Sequence, residues 1–182
     1  VVGGLILAML GVSNRRMVRL ASIGVVEVGR GTPALVLLQI VYNGIPVTLA
    51  GITSAGLALA LTTAAYTSEI IRGGLQAVPE GEVEAAAALG MGRWDSFRDV
   101  IIPQGLRIAL PPLLSFCIIM FQATSLAFTI AVPELMSQAK SVASSTFHYF
   151  NLFFIAAAMY GVITITASVL VERVERRLSR HV

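Results

Sequence analysis

Three long runs without a charged residue constrain this chain more than any other feature of its sequence. They cover residues 31–68, 108–133 and 141–171, which are 38, 26 and 31 positions long. A helix needs roughly 20 apolar residues to cross a bilayer. Hydrophobic residues make up 56% of the chain and charged residues 13%, so the runs predict membrane-spanning helices and not the core of a water-soluble protein.

The runs predict an all-α membrane protein with about five transmembrane helices, of which the first is truncated. Residues 1–12 are apolar but reach only about 18 Å as a helix, so they are expected to be the end of a first span. The longest run is interrupted by the turn signal Asn43-Gly44-Ile45-Pro46, which requires the second span to begin near residue 22. The remaining spans are predicted at about 49–70, 108–131 and 150–171.

Basic residues are distributed unevenly between the two sides of these spans. Arginines follow the first span, lie in or beside the loop 80–107, and recur in the tail from 173 to 180. The segments 43–48 and 133–149 contain Lys140 as their only basic residue. Because cytoplasmic loops carry the excess of Lys and Arg, the loop and the C-terminus are predicted to be cytoplasmic and the N-terminus external.

The loop 80–107 is a charged, amphipathic segment within a single predicted domain of residues 1–182, and lipid cannot satisfy its polar groups. Residues 84–89 are strong helix formers, and Gly90 permits the tight bend that ends a helix. A second helix is expected to start near Asp95 and to end or kink at Pro103. The first helix either docks a soluble partner or packs on lipid headgroups.

Two acidic and basic pairs lie at the predicted inner ends of the second and third spans. Glu27 with Arg30, and Glu69 with Arg72, have the i, i+3 spacing at which side chains meet on a helix. Each pair predicts a local ion pair that anchors the span at the membrane interface. The alternative is an inner gate or a substrate contact near the inner mouth of a path.

Three polar residues, Gln122, Thr124 and Ser125, lie inside the predicted fourth span. Polar groups at membrane depth face the helix bundle or a water-filled cavity. They therefore either form hydrogen bonds between helices or line a translocation path, where an amino acid's ammonium and carboxylate need partners. The sequence leaves both readings open.

Four ordered motifs resemble a known family. The run Glu84-Ala85-Ala86-Ala87-Ala88-Leu89-Gly90, followed by Ile-Ile-Pro-Gln at 101–104, is similar to the EAA loop of permease subunits of bacterial ABC importers. Segments 27–33, 66–74 and 124–135 resemble the polar amino acid subgroup of that family. The resemblance covers nearly the whole chain and is strongest to the second permease subunit of histidine/lysine/arginine/ornithine and opine importers.

The resemblance implies a type I ABC importer permease fold, located in the bacterial inner membrane and carrying a polar or basic amino acid or an opine. It implies a cytoplasmic coupling helix whose contacts with an ATP-binding subunit come from Glu84, Ala85, Ala86, Leu89 and Gly90. It also implies a heterodimer with a second permease subunit, a periplasmic amino-acid-binding protein as partner, and contact with membrane lipid.

The chain has no phosphate-binding G-x-x-x-x-G-K-[ST] sequence, so it is not expected to be an enzyme, and ATP-Mg is expected to be used by the partner subunit. No catalytic residue, bound cofactor or metal is predicted. The chain departs from its family at Ser115-Phe116, where relatives often have an Asn-Glu pair, and at Gln122-Ala123, where many have Lys-Asp. These departures leave open whether this subunit or its companion permease provides the charged contacts to substrate.

Two other classes are less consistent with the sequence. The net charge of +3 does not indicate nucleic-acid binding, because the basic residues lie at span ends. A membrane-embedded enzyme is disfavoured because no nucleophile and base or paired carboxylates lie at one depth. The alternative that stays open is a membrane scaffold that docks a non-ATPase cytoplasmic partner through the loop 80–107.

Overall fold

Every regular element in residues 1–11, 15–44, 46 and 49–178, which are those that the computed structural model describes, is a helix. The elements are α1 (Val2–Gly11), α2 (Arg16–Gly31), α3 (Ala34–Asn43), α4 (Gly51–Gln76), α5 (Glu80–Ala88), α6 (Arg93–Asp95), a π-helical turn (Ser96–Ile101), α7 (Ile102–Ala123), a 3-10 helix (Thr124–Ile130), α8 (Leu135–Thr146) and α9 (Tyr149–Leu178). The all-helical prediction is therefore confirmed for the described residues.

Two helical segments among the described residues are long and apolar enough to cross a membrane. They are Arg93–Ile130 and Tyr149–Arg177, and they contain the predicted fourth and fifth spans. Helices α2 and α3 make a third if they are counted as one broken span. The number of five spans is not tested by these criteria and stays a prediction.

The predicted second span is not one straight helix. Helix α2 begins at Arg16, and a bend of 107° separates it from α3. The break lies at Thr32, whose φ of −90° and ψ of 126° are extended, because the ring of Pro33 excludes the helical conformation from the residue before it. Helix α3 ends at Asn43, where the sequence has its turn signal.

Helix α4 lies at the centre of the bundle and packs against α1, α2, α3 and α7. Although it is 26 residues long, it is not among the apolar segments, because small and hydroxyl side chains form its buried face. The buried residues are Ser54, Ala55, Ala58, Thr62, Ala65, Thr67, Ser68, Ile71 and Gly74. Small residues let helix backbones approach closely in a membrane protein.

The crossing of α4 and α7 shows how close this approach is. A Cβ atom on Gly74 would lie 2.5 Å from the carbonyl oxygen of Gly105 and 2.7 Å from the Cβ of Ala109. Distances this short are below van der Waals contact, so the two helices can pack here only without a side chain at Gly74. A matching Cβ on Gly105 would lie 2.7 Å from the Cα of Leu75.

The sequence predicted that Pro103 ends or kinks a helix. The helix does not end there, since the helical segment continues from Arg93 to Ile130. Pro103 lies in the first turn of α7, directly after the π-helical turn Ser96–Ile101. A proline ring clashes with the carbonyl four residues earlier in a regular α-helix, and a π-helical turn changes the hydrogen-bonding pattern at that point. The helix is therefore able to pass through the proline.

The helices in and after the loop differ from the predicted ones at their boundaries. Helix α5 begins at Glu80, four residues before the predicted start, and Pro79 occupies its N-cap. The carboxylates of Glu80 and Glu82 stabilise this first turn, because they lie near the positive end of the helix dipole. Helix α6 begins at Arg93, two residues before the predicted Asp95. Helix α8 was not predicted at all.

Candidate functional site

Helix α5 ends in a glycine turn that matches the expected tight bend. Gly90 has a φ of +79°, and its N–H donates to the carbonyl of Ala87 at 3.0 Å. The N–H of Met91 donates to the carbonyl of Ala86 at 3.1 Å. These two bonds form a Schellman motif with Gly90 in the left-handed position, so the chain reverses direction immediately after the helix.

The end of α5 presents an apolar side chain outward. Leu89 is 83% exposed and Ala85 is also exposed, whereas Ala86 is 4% exposed and faces the protein. Trp94, on the other side of the turn, is 69% exposed, and its ring lies 6.1 Å from that of Phe97. Large apolar side chains exposed on both sides of one turn, outside the predicted spans, indicate a contact surface.

The contact surface is held to the span bundle by the elements that flank it. Helix α5 packs against the π-helical turn. The Gln104 amide donates to the Glu82 carboxylate at 3.4 Å, which joins the start of α5 to α7. A force applied to the outward face of α5 would therefore reach α7 through direct contacts.

A second group of sequence-predicted residues forms an ionic cluster on α2 and α4. Glu69 accepts from Arg72 at 3.0 and 2.6 Å, which confirms the predicted ion pair in α4. Glu69 also forms an ion pair with Arg30, with 3.1 Å between the nitrogen and the oxygen. The prediction that Arg30 pairs with Glu27 was wrong, because α2 packs closely against α4 at Gly29 and brings Arg30 to Glu69. Glu69 is thus clamped between two guanidinium groups.

The ionic cluster extends to α7 through aromatic rings. The Arg30 guanidinium lies 5.9 Å from the centroid of the Tyr66 ring, and the Tyr66 hydroxyl donates to the Arg30 carbonyl at 3.3 Å. Tyr66 stacks on Phe116 of α7 with the ring centroids 5.2 Å apart. Three helices are therefore joined by Arg30, Tyr66 and Phe116, an arrangement suited to an anchor.

Glu27 lies in a small cleft between α1, α2 and α4. The cleft has a volume of about 260 Å³ and is also lined by Ser22, Glu69 and Arg72. The hydroxyl hydrogen of Ser22 is already used in a bond to the Leu7 carbonyl at 2.8 Å. Glu27 shares this cleft with Glu69 and Arg72 and does not pair with Arg30.

The polar residues predicted to line one path do not meet in one cavity. Thr124 lines an open cleft of about 710 Å³ between α1, α4 and α7, together with Thr63 and Phe121. Gln122 lines a different cleft of about 310 Å³ between α7 and α9. Thr124 donates to the Phe121 carbonyl at 2.6 Å, and Ser125 donates to the Gln122 carbonyl at 2.7 Å.

The cleft beside Gln122 contains acidic residues that the sequence reasoning missed. Glu172 and Glu175 of α9 line it together with Ser115, which with Phe116 stands where relatives often have an Asn-Glu pair. Arg176 pairs with Glu172 at 2.5 Å. This proximity follows from the packing of α7 against α9. No local sequence pattern specifies which helices pack together, so the sequence carried no signal for it.

A further cluster that was missed lies around Glu134 at the start of α8. Its carboxylate accepts from the N–H groups of Met136 and Ser137 at 2.7 and 2.5 Å, and the Ser137 hydroxyl accepts from the Glu134 N–H at 2.8 Å. This is a capping box, and Glu134 three residues before Ser137 was its signal in the sequence. Tyr160 of α9 donates to the same carboxylate at 3.1 Å.

Metal chemistry has no support in the described part of the chain, where no three His, Cys, Asp or Glu side chains form a group that could hold an ion. The functional features are instead a protruding apolar turn, an ionic anchor and polar clefts between helices.

Known proteins share this arrangement and sequence. A family model for "Binding-protein-dependent transport system inner membrane component" matches residues 1–180. The histidine/lysine/arginine/ornithine transport system permease protein HisM of Salmonella typhimurium is 39% identical, over 100% of this chain and 84% of that protein. The probable amino-acid ABC transporter permease protein YckA of Bacillus subtilis is 34% identical, over 98% of this chain and 80% of that protein.

A solved structure is also similar. It is described as the crystal structure of an amino acid ABC transporter with histidines, and it matches with a TM-score of 0.94 and 39% identity over 97% of this chain and 84% of that chain. Both the sequence and the fold thus agree over almost the full length. The chain belongs to the family of binding-protein-dependent transport system inner membrane components, as a multi-pass inner-membrane permease.

Proposed function

We propose that this permease forms half of the path of an ATP-driven amino acid importer and transmits the action of a separate ATPase through α5. The turn at the end of α5 supports this assignment most directly. It presents Leu89 outward next to a rigid glycine turn, while Ala86 fixes the other face of the helix to the protein. The small side chain of Ala85 allows a groove of the ATPase to fit closely around Glu84, Leu89 and Gly90, which are all exposed. Ala86 was predicted as a further contact, but it is buried against the protein and is not available to the ATPase.

The proposed transmission follows the contacts of the loop. ATP binding closes the two ATPase subunits and moves α5, and the contact of α5 with the π-helical turn carries this movement to α7. The continuous segment Arg93–Ile130 then moves as a rigid body and changes access to the clefts. ATP-Mg is bound and hydrolysed in the ATPase, and this chain provides no cofactor site.

The proposed topology has five spans in one domain of residues 1–182, with the loop 80–107 and the C-terminus in the cytoplasm. The excess of arginine in these regions supports this orientation. Helix α8 is then on the periplasmic side, where a binding protein delivers the amino acid. A second permease subunit, different in sequence, completes the path, and lipid covers the remaining apolar surface.

The proposed substrate is a polar or basic amino acid or an opine. The name of the relative HisM supports the basic class, since it cites histidine, lysine, arginine and ornithine. Glu175 supports it as well, because it lines the cleft beside Gln122 and a carboxylate there favours a cationic side chain, whereas Glu172 in the same cleft is already paired with Arg176. Glu69 is a weaker candidate for substrate contact, since two arginines already neutralise it.

The geometry divides the residues proposed for the path into separate roles. Thr124 is proposed to line the cleft between α1, α4 and α7, and Gln122 to line the cleft facing α9, whereas Ser125 lines neither of these clefts. Arg30, Glu69 and Arg72 are proposed as an inner anchor that fixes α2 to α4.

Reconstitution tests the proposal. The chain is expressed together with its companion permease, the ATPase and the binding protein encoded beside it, and the complex is placed in liposomes. Uptake of histidine, lysine, arginine, ornithine and glutamine is measured together with ATP hydrolysis. We expect uptake of at least one basic amino acid, and stimulation of hydrolysis by the loaded binding protein.

A charge reversal in the loop separates the proposal from the scaffold alternative. Glu84→Lys reverses the charge offered to the ATPase groove and is expected to abolish ATPase binding and stimulation, whereas Arg173→Glu, a charge reversal at an exposed residue outside the loop, should leave both intact. If the wild-type chain fails to bind any ATPase and binds a different cytoplasmic protein through the loop, the scaffold function is supported instead.

A further inference from the structure

The segment between α7 and α9 forms a folded unit with an unusual backbone. At Thr124 the helix tightens from α to 3-10, and it ends at Ala131, whose φ of 58° is left-handed. The chain then turns and runs into α8, which folds back against the first half of α9. Ala143 of α8 is fully buried and Ala156 of α9 is 3% exposed, so the two helices are in close contact.

Side chains tie α8 to the 3-10 helix that precedes it. The Lys140 ammonium lies 5.2 Å from the centroid of the Phe128 ring, a distance at which a cation is attracted to an aromatic face. Val132, which joins the two helices, is buried with Ala127 and Ile130 in the same apolar cluster as α3 and α4. The 3-10 helix and α8 are thus held together as one body.

Tyr160 is the polar contact between this body and α9. Its hydroxyl donates to the Glu134 carboxylate at 3.1 Å, and the Thr124 hydroxyl donates to the carbonyl of Phe121, on whose ring Tyr160 packs. The centroids of these two rings lie 5.6 Å apart. One side chain therefore touches the N-cap of α8 and Phe121, which lines the cleft between α1, α4 and α7 together with Thr124.

We propose that Tyr160 and Glu134 are positioning residues that couple a binding protein docked on α8 to the cleft lined by Phe121 and Thr124. This inference rests on the proposed function, which places α8 on the periplasmic side. A movement of α8 displaces the Glu134 carboxylate, and the hydrogen bond to Tyr160 passes that displacement to the residues of the cleft. A hydrogen bond to an ionised carboxylate is stronger than a neutral one, which makes it suited to this coupling.

The test uses the reconstituted complex with its own binding protein, loaded with whichever of histidine, lysine, arginine or ornithine the wild type transports. ATP hydrolysis is measured against binding-protein concentration. Tyr160→Phe removes the hydroxyl but keeps the ring on Phe121. We expect the maximal stimulated rate to fall about tenfold while the half-maximal binding-protein concentration stays the same, because docking is intact and only its transmission is lost.

Two control variants separate coupling from structure. Val142→Asp places a charge on the exposed side of α8, away from Glu134 and Tyr160, so it should raise the half-maximal concentration and leave the maximal rate unchanged. Tyr149→Phe makes the same chemical change on α9 at a hydroxyl with no hydrogen bond to any described residue, and it should match the wild type.

Each outcome is decisive. If Tyr160→Phe assembles and shows the wild-type maximal rate, the coupling role is refuted while the importer function stands. If Tyr160→Phe does not assemble, Glu134→Gln is tested for the same reduction in maximal rate, and failure of both variants to assemble shows a structural role and overturns the proposal. If the wild-type complex is not stimulated at all, it is the proposed function that fails.

Discussion

The left-handed conformation of Gly90 allows a quantitative test of the loop. A residue with a Cβ atom costs roughly 1–2 kcal/mol in this conformation, and a β-branched residue such as valine is among the least tolerated there. The Cβ would meet no atom within 4 Å, so this backbone cost is the whole effect of the change within the chain. Since 1.4 kcal/mol corresponds to about a tenfold change in an equilibrium, Gly90→Val should reduce the fraction of loops with the native turn about 5- to 30-fold.

The assay is uptake and binding-protein-stimulated ATP hydrolysis in liposomes, each divided by the amount of assembled complex. Gly90→Val should reduce both, because the turn holds Leu89 in the orientation that we propose for docking. Gly90→Asn should retain more activity, since asparagine is enriched among residues with positive φ. Gly81→Ala, in α5 and with open space around its Cβ, should retain full activity because alanine is the better helix former.

The test is the order of activity among these variants, which should be highest for Gly81→Ala, lower for Gly90→Asn and lowest for Gly90→Val. Equal activity of the valine and asparagine variants would show that the left-handed turn does not matter for coupling. Wild-type stimulation in Gly90→Val would refute the reasoning and with it the assignment of α5 as the coupling helix. Mild effects that depend on the charge of the lipids and not on the ATPase would indicate a helix that packs on headgroups.

Three further predictions concern topology, packing and the path. A reporter fused after Arg180 should report the cytoplasm and one inserted near Lys140 the periplasm; the reverse pattern, measured by reporter activity in cells, would contradict the five-span topology. Gly74→Ala should destabilise the permease by about 1–3 kcal/mol through overpacking, and Gly73→Ala, where a Cβ meets nothing within 4 Å, should not, as judged by thermal unfolding of the two purified variants. Thr124→Val should raise the substrate concentration for half-maximal uptake without reducing assembly, and unchanged uptake kinetics would remove it from the path.

The features that the sequence predicted correctly are set by neighbouring residues. The Glu69–Arg72 pair depends only on the i, i+3 spacing within one helix, and the turn at Gly90 depends on the freedom of glycine at positive φ. The end of α3 at Asn43 follows likewise from a local turn signal. The uncharged run 141–171 predicted α9, because a single long apolar segment can satisfy its own backbone hydrogen bonds in lipid only as a helix.

The features that it missed are set by residues distant in the chain. Spacing predicted Glu27 as the partner of Arg30, but α2 packs against α4 and Arg30 pairs with Glu69 instead. At Thr124 the helix changes from α, with about 3.6 residues per turn, to 3-10, with about 3.0, and Thr124 lines a different cleft from Gln122.

Helix α4 has a consequence for the synthesis of the protein. The segment at the centre of the bundle is rich in serine, threonine and alanine on its buried face, and it is less apolar than the segments Arg93–Ile130 and Tyr149–Arg177. A segment of this kind gains little by entering lipid alone. Its stable residence in the bilayer therefore depends on the helices packed around it, which are α1, α2 and α3 before it in the chain and α7 after it. Ribosomes stalled before α7 emerges should hold α4 without its partner at Gly74, in a state that alkali extracts more readily than it extracts the complete chain.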